Sequence, residues 1–139
     1  MWADADDEKA IFAAVDRFLE AVAAKRLEET LAAFSGDPDC ALIGSEVGEE
    51  ASGPAALRGF FVGMFARPAT FSVAWRSRRA SINGDTAWFS VEVDARMSTS
   101  ERSGPYRMTG VLVRRHGRWL WQLYHGGEPR SSAPAITAS

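Results

Sequence analysis

The stretch that decides the fold is Thr109–Pro129, which reads TGVLVRRHGRWLWQLYHGGEP. It contains two strand-like runs, Thr109–Arg115 and Arg118–Gly126, joined by a His116-Gly117 pair that is typical of a tight hairpin turn. The second run carries large aromatic residues and then a histidine. A chain that ends this way after amphipathic helices predicts a curved sheet wrapped around those helices, and such a sheet encloses a pocket.

Three amphipathic helices are predicted before this hairpin. Residues 7–24 repeat apolar side chains at helical spacing, and a shorter helix is predicted over 27–34. A third helix begins at Pro54 and ends before Pro68, because proline suits the first turn of a helix and breaks its interior. Its apolar stripe consists of Leu57, Phe60, Phe61, Met64 and Phe65. Each helix therefore offers a face that a sheet must cover.

The rest of the chain predicts β structure. Apolar residues alternate over 71–75 and again over 89–97, and the Asn-Gly-Asp run at 83–85 is a strong hairpin signal. The predicted fold class is α+β, a cone-like fold in which three N-terminal helices pack on a strongly curved, mixed or antiparallel β-sheet. One domain is expected over 1–129, and residues 130–139 are expected to form a disordered tail.

Composition narrows the classes of partner and compartment. The 139-residue chain has a net charge of −2 and a pI of about 5.7, which argues against nucleic-acid binding. Cys40 is the only cysteine, so no internal disulfide can form, and a reducing compartment is indicated. We found neither a secretory leader nor an apolar membrane span, and we therefore expect a cytoplasmic protein with no membrane partner.

Register across the last hairpin selects the candidate catalytic residues. Folding about the turn places Leu112 opposite Trp121 and Met108 opposite His125, and it puts His125 and Tyr106 on the inner face. An imidazole in an apolar cavity could act as a general acid–base, and the tyrosine could donate to a developing oxyanion. The alternative is a structural role for His125 as a buried donor to a backbone carbonyl.

Further side chains are expected to line the cavity and bind a small apolar or aromatic molecule. These predicted ligand-binding residues are Trp75, Met108, Trp121, Phe61 and Arg58. A core position is the favoured alternative for Trp121, and Arg58 could be held in an ion pair instead of recognising an anion. No metal site is predicted from two unclustered histidines, and no cofactor is predicted because no phosphate-binding glycine motif precedes a helix.

The opposite face of the predicted sheet mixes apolar and charged residues. Trp88 lies on this face, among charged and apolar neighbours. Interface cores bury aromatic residues within a polar rim. We therefore expect a homodimer formed through the outer sheet face.

Four stretches together resemble the nuclear transport factor 2-like superfamily, and most closely its SnoaL-like branch. They are LIG at 42–44, SGPAALRGFF at 52–61, INGDTAW at 82–88 and the hairpin at 109–129. The chain is also similar to the association domain of calcium/calmodulin-dependent protein kinase. The resemblance covers residues 7–129 and implies the same cone-like fold.

The resemblance implies several functions, because the superfamily includes isomerases, cyclases, dehydratases, binding modules and oligomerisation hubs. The catalytic aspartate of isomerase-like members matches a position near Gly44, and their oxyanion tyrosine matches one near Phe18. The pocket arginines of the kinase domain match Gly110 and Gly126. This chain therefore departs from both patterns.

A carboxylate from the loop after the first strand could replace the missing aspartate as a base. The candidates there are Glu46, Glu49 and Glu50, and the alternative is that they form a solvated loop. The leading functional hypothesis is binding of a small molecule in an apolar cone pocket, extended by cofactor-independent acid–base catalysis of the isomerase, cyclase or dehydratase kind. The alternative is a non-catalytic homodimerisation or protein-interaction module.

Overall fold

The structure is a computed structural model that describes residues 1–100 and 103–129. The helices are α1 (Ala5–Ala23), α2 (Leu27–Ala32) and α3 (Pro54–Phe65). The strands are β1 (Ala41–Ile43), β2 (Glu50–Ser52), β3 (Phe71–Trp75), β4 (Ser81–Asn83), β5 (Thr86–Met97), β6 (Ser103–Arg115) and β7 (Arg118–Gly127). The predicted tail at 130–139 lies outside the described residues.

The strands form one curved sheet in the order β2-β1-β7-β6-β5-β3, with β4 also paired to β5. β1 runs parallel to β7, and the other pairs are antiparallel, so the sheet is mixed. The helices cover its inner face. The predicted α+β cone is confirmed.

Helix α1 forms the central contact between the helices and the sheet. It begins after Asp4, whose side chain accepts a hydrogen bond from the Asp7 amide at 2.8 Å, and acidic residues fill its first turn. Its buried stripe places Phe12 against Phe89 and Phe18 against Trp121, with ring centroids 5.2 and 5.3 Å apart. No helix in the described part of the chain is long and apolar enough to cross a bilayer.

The β6–β7 hairpin follows the prediction near its turn. His116 and Gly117 have φ angles of 52° and 75°, the left-handed pair that a two-residue hairpin turn needs. Leu112 lies opposite Trp121, and both are buried in the core. A Cβ on Gly110 would lie 2.5 Å from the Trp121 ring, so the glycine makes room for the indole.

Farther from the turn the hairpin contains a bulge, and the predicted register fails there. β7 carries one extra residue, Gln122, so His125 pairs with Thr109 and not with Met108. Because side chains alternate along a strand, one inserted residue moves every later side chain to the other face. Tyr124 is therefore buried and His125 exposed. The predicted inward position of His125 is wrong.

Candidate functional site

Two tyrosine hydroxyls meet inside the cone. Tyr106 of β6 and Tyr124 of β7 are 8% and 6% exposed, and their oxygens lie 2.6 Å apart. The bulge in β7 turns Tyr124 inward, and Gly126 completes the arrangement, because a Cβ at that position would overlap the Tyr106 hydroxyl. The pair thus depends on a bulge and on the absence of a side chain.

The surroundings of this tyrosine pair are aromatic. The Tyr106 ring contacts Phe71 at 5.3 Å, and the Tyr124 ring contacts Phe18 at 5.9 Å. Burial raises the pKa of Tyr106 above its ordinary value and raises the pKa of Tyr124 well above it, so both hydroxyls are protonated at neutral pH. Only one hydrogen is used between the two oxygens, which leaves one hydroxyl hydrogen to donate elsewhere.

A second donor lies beside the pair. Trp121 is 1% exposed, its ring centroid is 5.3 Å from that of Tyr124, and its indole N–H has no acceptor among the described residues. Leaving such a group unsatisfied costs about 1–3 kcal/mol. The core beside Tyr124 therefore contains an indole donor that has no acceptor among the described residues.

A carboxylate approaches from the hairpin between β1 and β2. The Gly44 amide donates to the Glu49 carbonyl at 2.7 Å, and the Glu46 amide donates to Glu49 Oε1 at 2.8 Å. A Cβ on Gly44 would lie 2.8 Å from Glu49 Cβ and 2.9 Å from Oε1, so the side chain is folded over the glycine. Its negative charge contributes to the raised pKa of both Tyr106 and Tyr124, after burial.

The two predicted catalytic residues are not brought together. Tyr106 faces inward as predicted, but His125 is exposed on the outer face, paired with Thr109 of β6 and Ile43 of β1. The sheet separates the imidazole from the tyrosine hydroxyl. The prediction that both line one cavity is therefore wrong, and His125 has no part in the site inside the cone.

Trp75, which was predicted to line the cavity, makes its polar contacts elsewhere. Its indole N–H donates to Asp16 Oδ1 at 3.0 Å, and Arg78 donates to the same oxygen at 2.8 Å. The Arg78 guanidinium also lies 4.8 Å from the Trp75 ring centroid. These contacts tie the bend after β3 to α1.

The other predicted ligand-binding residues are divided between the core and the surface. Phe61 and Met108 are 1% and 0% exposed and belong to the core. Arg58 is exposed and forms two hydrogen bonds with the Glu28 carboxylate at 2.8 and 3.0 Å, which links α3 to α2. Of this predicted set, Trp121 alone presents an unpartnered polar atom among the described residues.

Sequence reasoning did not identify Tyr124 and Gly126 as residues of the site. A signal was available, since a large side chain facing inward beside a strand glycine indicates close approach. A groove of about 400 Å³ lies elsewhere, at Ser72, Arg96 and Ser98–Ser100. Within residues 1–100 and 103–129, no group of three or more His, Cys, Asp or Glu side chains is placed to hold a metal ion.

Solved structures with the same fold are numerous. A Streptomyces avermitilis protein of the nuclear transport factor 2-like family, provisionally assigned as a dehydratase, superposes with a TM-score of 0.80 at 14% identity over 93% of this chain and 100% of its own. A Nostoc punctiforme protein of unknown function with a cystatin-like fold gives 0.75 at 22% identity over 94% and 97%. These likenesses show the fold alone.

A third structure agrees with the kinase resemblance. A Thiobacillus denitrificans protein, provisionally assigned as a calcium/calmodulin-dependent protein kinase type II association domain, gives a TM-score of 0.71 at 20% identity over 86% of this chain and 94% of its own. None of the curated proteins matches the chain. The family model for the SnoaL-like domain matches residues 11–129, which include every element from the body of α1 to the end of β7. The chain therefore belongs to the SnoaL-like domain family.

Proposed function

We propose that this protein binds a small, largely apolar molecule in the cone and that an oxygen of the ligand accepts a hydrogen bond from the tyrosine pair. One observation carries the proposal: Tyr106 and Tyr124 share a 2.6 Å hydrogen bond in an aromatic interior and retain one hydroxyl hydrogen without a partner between them. The indole N–H of Trp121, whose ring packs against Tyr124, has no acceptor among the described residues and adds a second donor. A ligand with carbonyl or hydroxyl oxygens would satisfy both donors.

The apolar character of the ligand follows from the lining of the cone. Partly buried apolar side chains of α3 and β3 pack against the core: Phe60, Met64, Phe65, Phe71 and Val73. Burying apolar surface contributes about 25 cal/mol per Å², so a ligand that covers these side chains gains affinity without further polar contacts. Small-molecule sites commonly combine such a lining with a few placed polar groups.

The chemistry open to such a site is stabilisation of negative charge on a ligand oxygen. Two neutral tyrosines in a dry environment can donate to an oxyanion as it develops on a carbonyl. In this proposal they serve the role that the resemblance implies for a tyrosine at the position of Phe18. Cofactor-independent isomerisation, cyclisation or dehydration is the matching class of reaction. The supporting likeness to a provisionally assigned dehydratase concerns the fold only.

Native mass spectrometry of gently purified protein tests the binding proposal. We expect a co-purified small molecule that is released on unfolding, and weaker retention in the double variant Tyr106→Phe/Tyr124→Phe. His125→Ala is the matched control, because this exposed side chain lies on the other face of the sheet. An empty wild-type protein that also fails to bind 2-naphthol at millimolar concentration would refute the proposal.

We also propose a homodimer formed through the outer sheet face. Trp2, Ser81, Trp88, Val111 and Leu123 are successive partners across the sheet, so they form one row on this face. Trp2 and Trp88 are 57% and 40% exposed, which is unusual for tryptophan in a monomer and suits a face that a second copy covers.

Analytical ultracentrifugation of the full chain tests the dimer. Trp88→Glu should shift the protein to monomers, because it introduces a charge into the proposed interface. Val62→Glu is the control, since Val62 is 51% exposed on α3 and away from the sheet. A monomeric wild-type protein, or dissociation of both variants alike, would count against the proposed face.

A further inference from the structure

We propose that Glu49 makes the site in the cone selective for uncharged carbonyl, enol or phenol ligands over carboxylates and phosphates. The inference rests on the proposed function, because it concerns the ligand that the tyrosine pair receives. Glu49 would determine specificity from the β1–β2 hairpin, whereas the two tyrosines lie on the neighbouring strands β6 and β7.

Strand pairing brings the hairpin beside the tyrosine pair. β1 runs parallel to β7, and Ile43 is paired with His125. His125 is exposed on the outer face, so the next residue along each chain, Gly44 and Gly126, is directed to the inner face. The backbones of neighbouring strands are about 4.8 Å apart. Two glycines thus lie side by side and leave space inside the cone.

Both spaces are filled by polar groups from elsewhere in the chain. The Glu49 side chain lies where a Gly44 side chain would begin, with Oε1 2.9 Å from the position of a Cβ there. The Tyr106 hydroxyl lies where a Gly126 side chain would begin. The carboxylate and the hydroxyl pair therefore lie on the inner face beside two adjacent strands, β1 and β7.

The Glu49 carboxylate is held in this position. Its Oε1 accepts the Glu46 amide at 2.8 Å, and its carbonyl accepts the Gly44 amide at 2.7 Å. After burial, the negative charge of Glu49 raises the pKa of both tyrosines, and that of Glu128 also raises the pKa of Tyr106. Arg58, the arginine of α3, is engaged by Glu28 instead.

This arrangement distinguishes ligands by charge. A carboxylate or phosphate that accepted from Tyr106 or Tyr124 would lie near the fixed negative charge of Glu49. At about 5 Å that repulsion lowers affinity by a factor of ten or more when the effective dielectric constant is between those of water and protein. An enol or phenol hydroxyl could instead accept from a tyrosine and donate to the carboxylate.

The test compares 2-naphthol with 2-naphthoate, which share a ring system and differ in charge at neutral pH. We expect the wild-type protein to bind 2-naphthol at least about tenfold more tightly. Glu49→Gln keeps the acceptor for the Glu46 amide and removes the charge, so it should reduce this ratio severalfold, mainly by improving 2-naphthoate binding. Glu46→Gln removes one charge from the same hairpin at an exposed side chain and should leave the ratio unchanged.

Each result decides between the two proposals. If the ratio of 2-naphthol to 2-naphthoate affinity is the same in the wild-type protein and in Glu49→Gln, the selectivity proposal is wrong, while ligand binding itself stands. The same conclusion follows if Glu46→Gln changes this ratio as much as Glu49→Gln does. Failure of the wild-type protein to bind either probe at millimolar concentration would refute the proposed function and this inference with it. The proposal can also be tested without a ligand. The tyrosines should ionise at a lower pH in Glu49→Gln than in the wild-type protein, because a nearby negative charge has been removed. An unchanged tyrosine titration would show that the Glu49 carboxylate does not lie near the hydroxyls.

Discussion

Two polar clusters lie against the aromatic core, and they differ in how completely their hydrogen bonds are satisfied. In the first, Asp16 accepts from both Trp75 and Arg78, and the guanidinium stacks on aromatic rings. In the second, Tyr106 and Tyr124 bond to each other and retain a spare donor. In the first cluster an acid is paired with a base and the indole N–H has an acceptor, whereas the second cluster keeps a hydroxyl hydrogen beyond the one shared between its two oxygens.

This difference separates a structural cluster from a candidate site. Buried polar groups in a folded protein are almost always satisfied, so a surplus of donors calls for an explanation. At the bend after β3, the tryptophan donor and the arginine both meet the Asp16 carboxylate. At the tyrosine pair, one hydroxyl hydrogen and the Trp121 N–H remain available, which suits the ligand oxygen that we propose. Both clusters use aromatic neighbours, so aromatic lining alone does not identify the site.

The largest change in stability is expected when the space at Gly126 is filled by a side chain, because this disrupts the tyrosine pair and leaves the Asp16 cluster intact. Gly126→Ala would drive a methyl group into the Tyr106 hydroxyl and should destabilise the fold by about 1–3 kcal/mol, as overpacking does. Urea denaturation measures the change. Gly127→Ala is the matched control, since a Cβ there meets no atom within 4 Å.

A double-mutant cycle sharpens this prediction. Adding Tyr106→Phe to Gly126→Ala removes the oxygen that the methyl group strikes, so the double variant should recover part of the lost stability. Strict additivity of the two changes would contradict the packing of the hydroxyl into the glycine space.

A smaller effect is expected at the balanced cluster. Asp16→Ala removes the acceptor shared by Trp75 and Arg78 and should lower the free energy of unfolding by about 1–2 kcal/mol, because the cluster is partly exposed. Glu20→Ala, an exposed change on the same helix, should cost less than about 0.5 kcal/mol. Binding of 2-naphthol should be unaffected by Asp16→Ala. A loss of binding at constant stability would instead extend the site to this cluster.

The fold and the part of the β6–β7 hairpin next to its turn could be predicted from the sequence, because the spacing of apolar residues reflects local backbone geometry. The stripe of α1, the turn at His116-Gly117 and the pairing of Leu112 with Trp121 all follow from spacing and turn chemistry. Between this turn and the bulge, the predicted register of the β6–β7 hairpin holds.

The candidate site was harder to predict because it lies beyond the bulge at Gln122. The insertion of one residue has no local pattern of its own, yet it exchanges the positions of Tyr124 and His125. Glu49 was one of three acids considered after the first strand, and only the folded hairpin shows that it covers Gly44. Predicting this site from the sequence would have required the pairing of β1 with β7, which is a long-range contact.

The smallest expected change in the free energy of unfolding, and the one most specific to the tyrosine pair, should occur at alkaline pH. Burial raises the pKa of both tyrosines in the folded protein, while an unfolded tyrosine titrates near pH 10. Below that pH both states are protonated, so the pair adds no pH dependence. As pH rises through about 10 towards the raised native pKa values, the unfolded state loses protons first and stability falls.

The expected loss is about 0.4 kcal/mol per tyrosine at a pH equal to the unfolded pKa. Denaturation measured at about pH 8 and about pH 10 should therefore show a steeper decline in the wild-type protein than in Tyr106→Phe/Tyr124→Phe, which retains the same lysines and arginines. Tyr106 and Tyr124 are the only tyrosines in the chain, so tyrosinate absorbance reports on this pair alone. If tyrosinate formed near pH 10 in the folded wild-type protein, the hydroxyls would be accessible to water, and the surplus of buried donors that distinguishes this cluster from Asp16 would not exist.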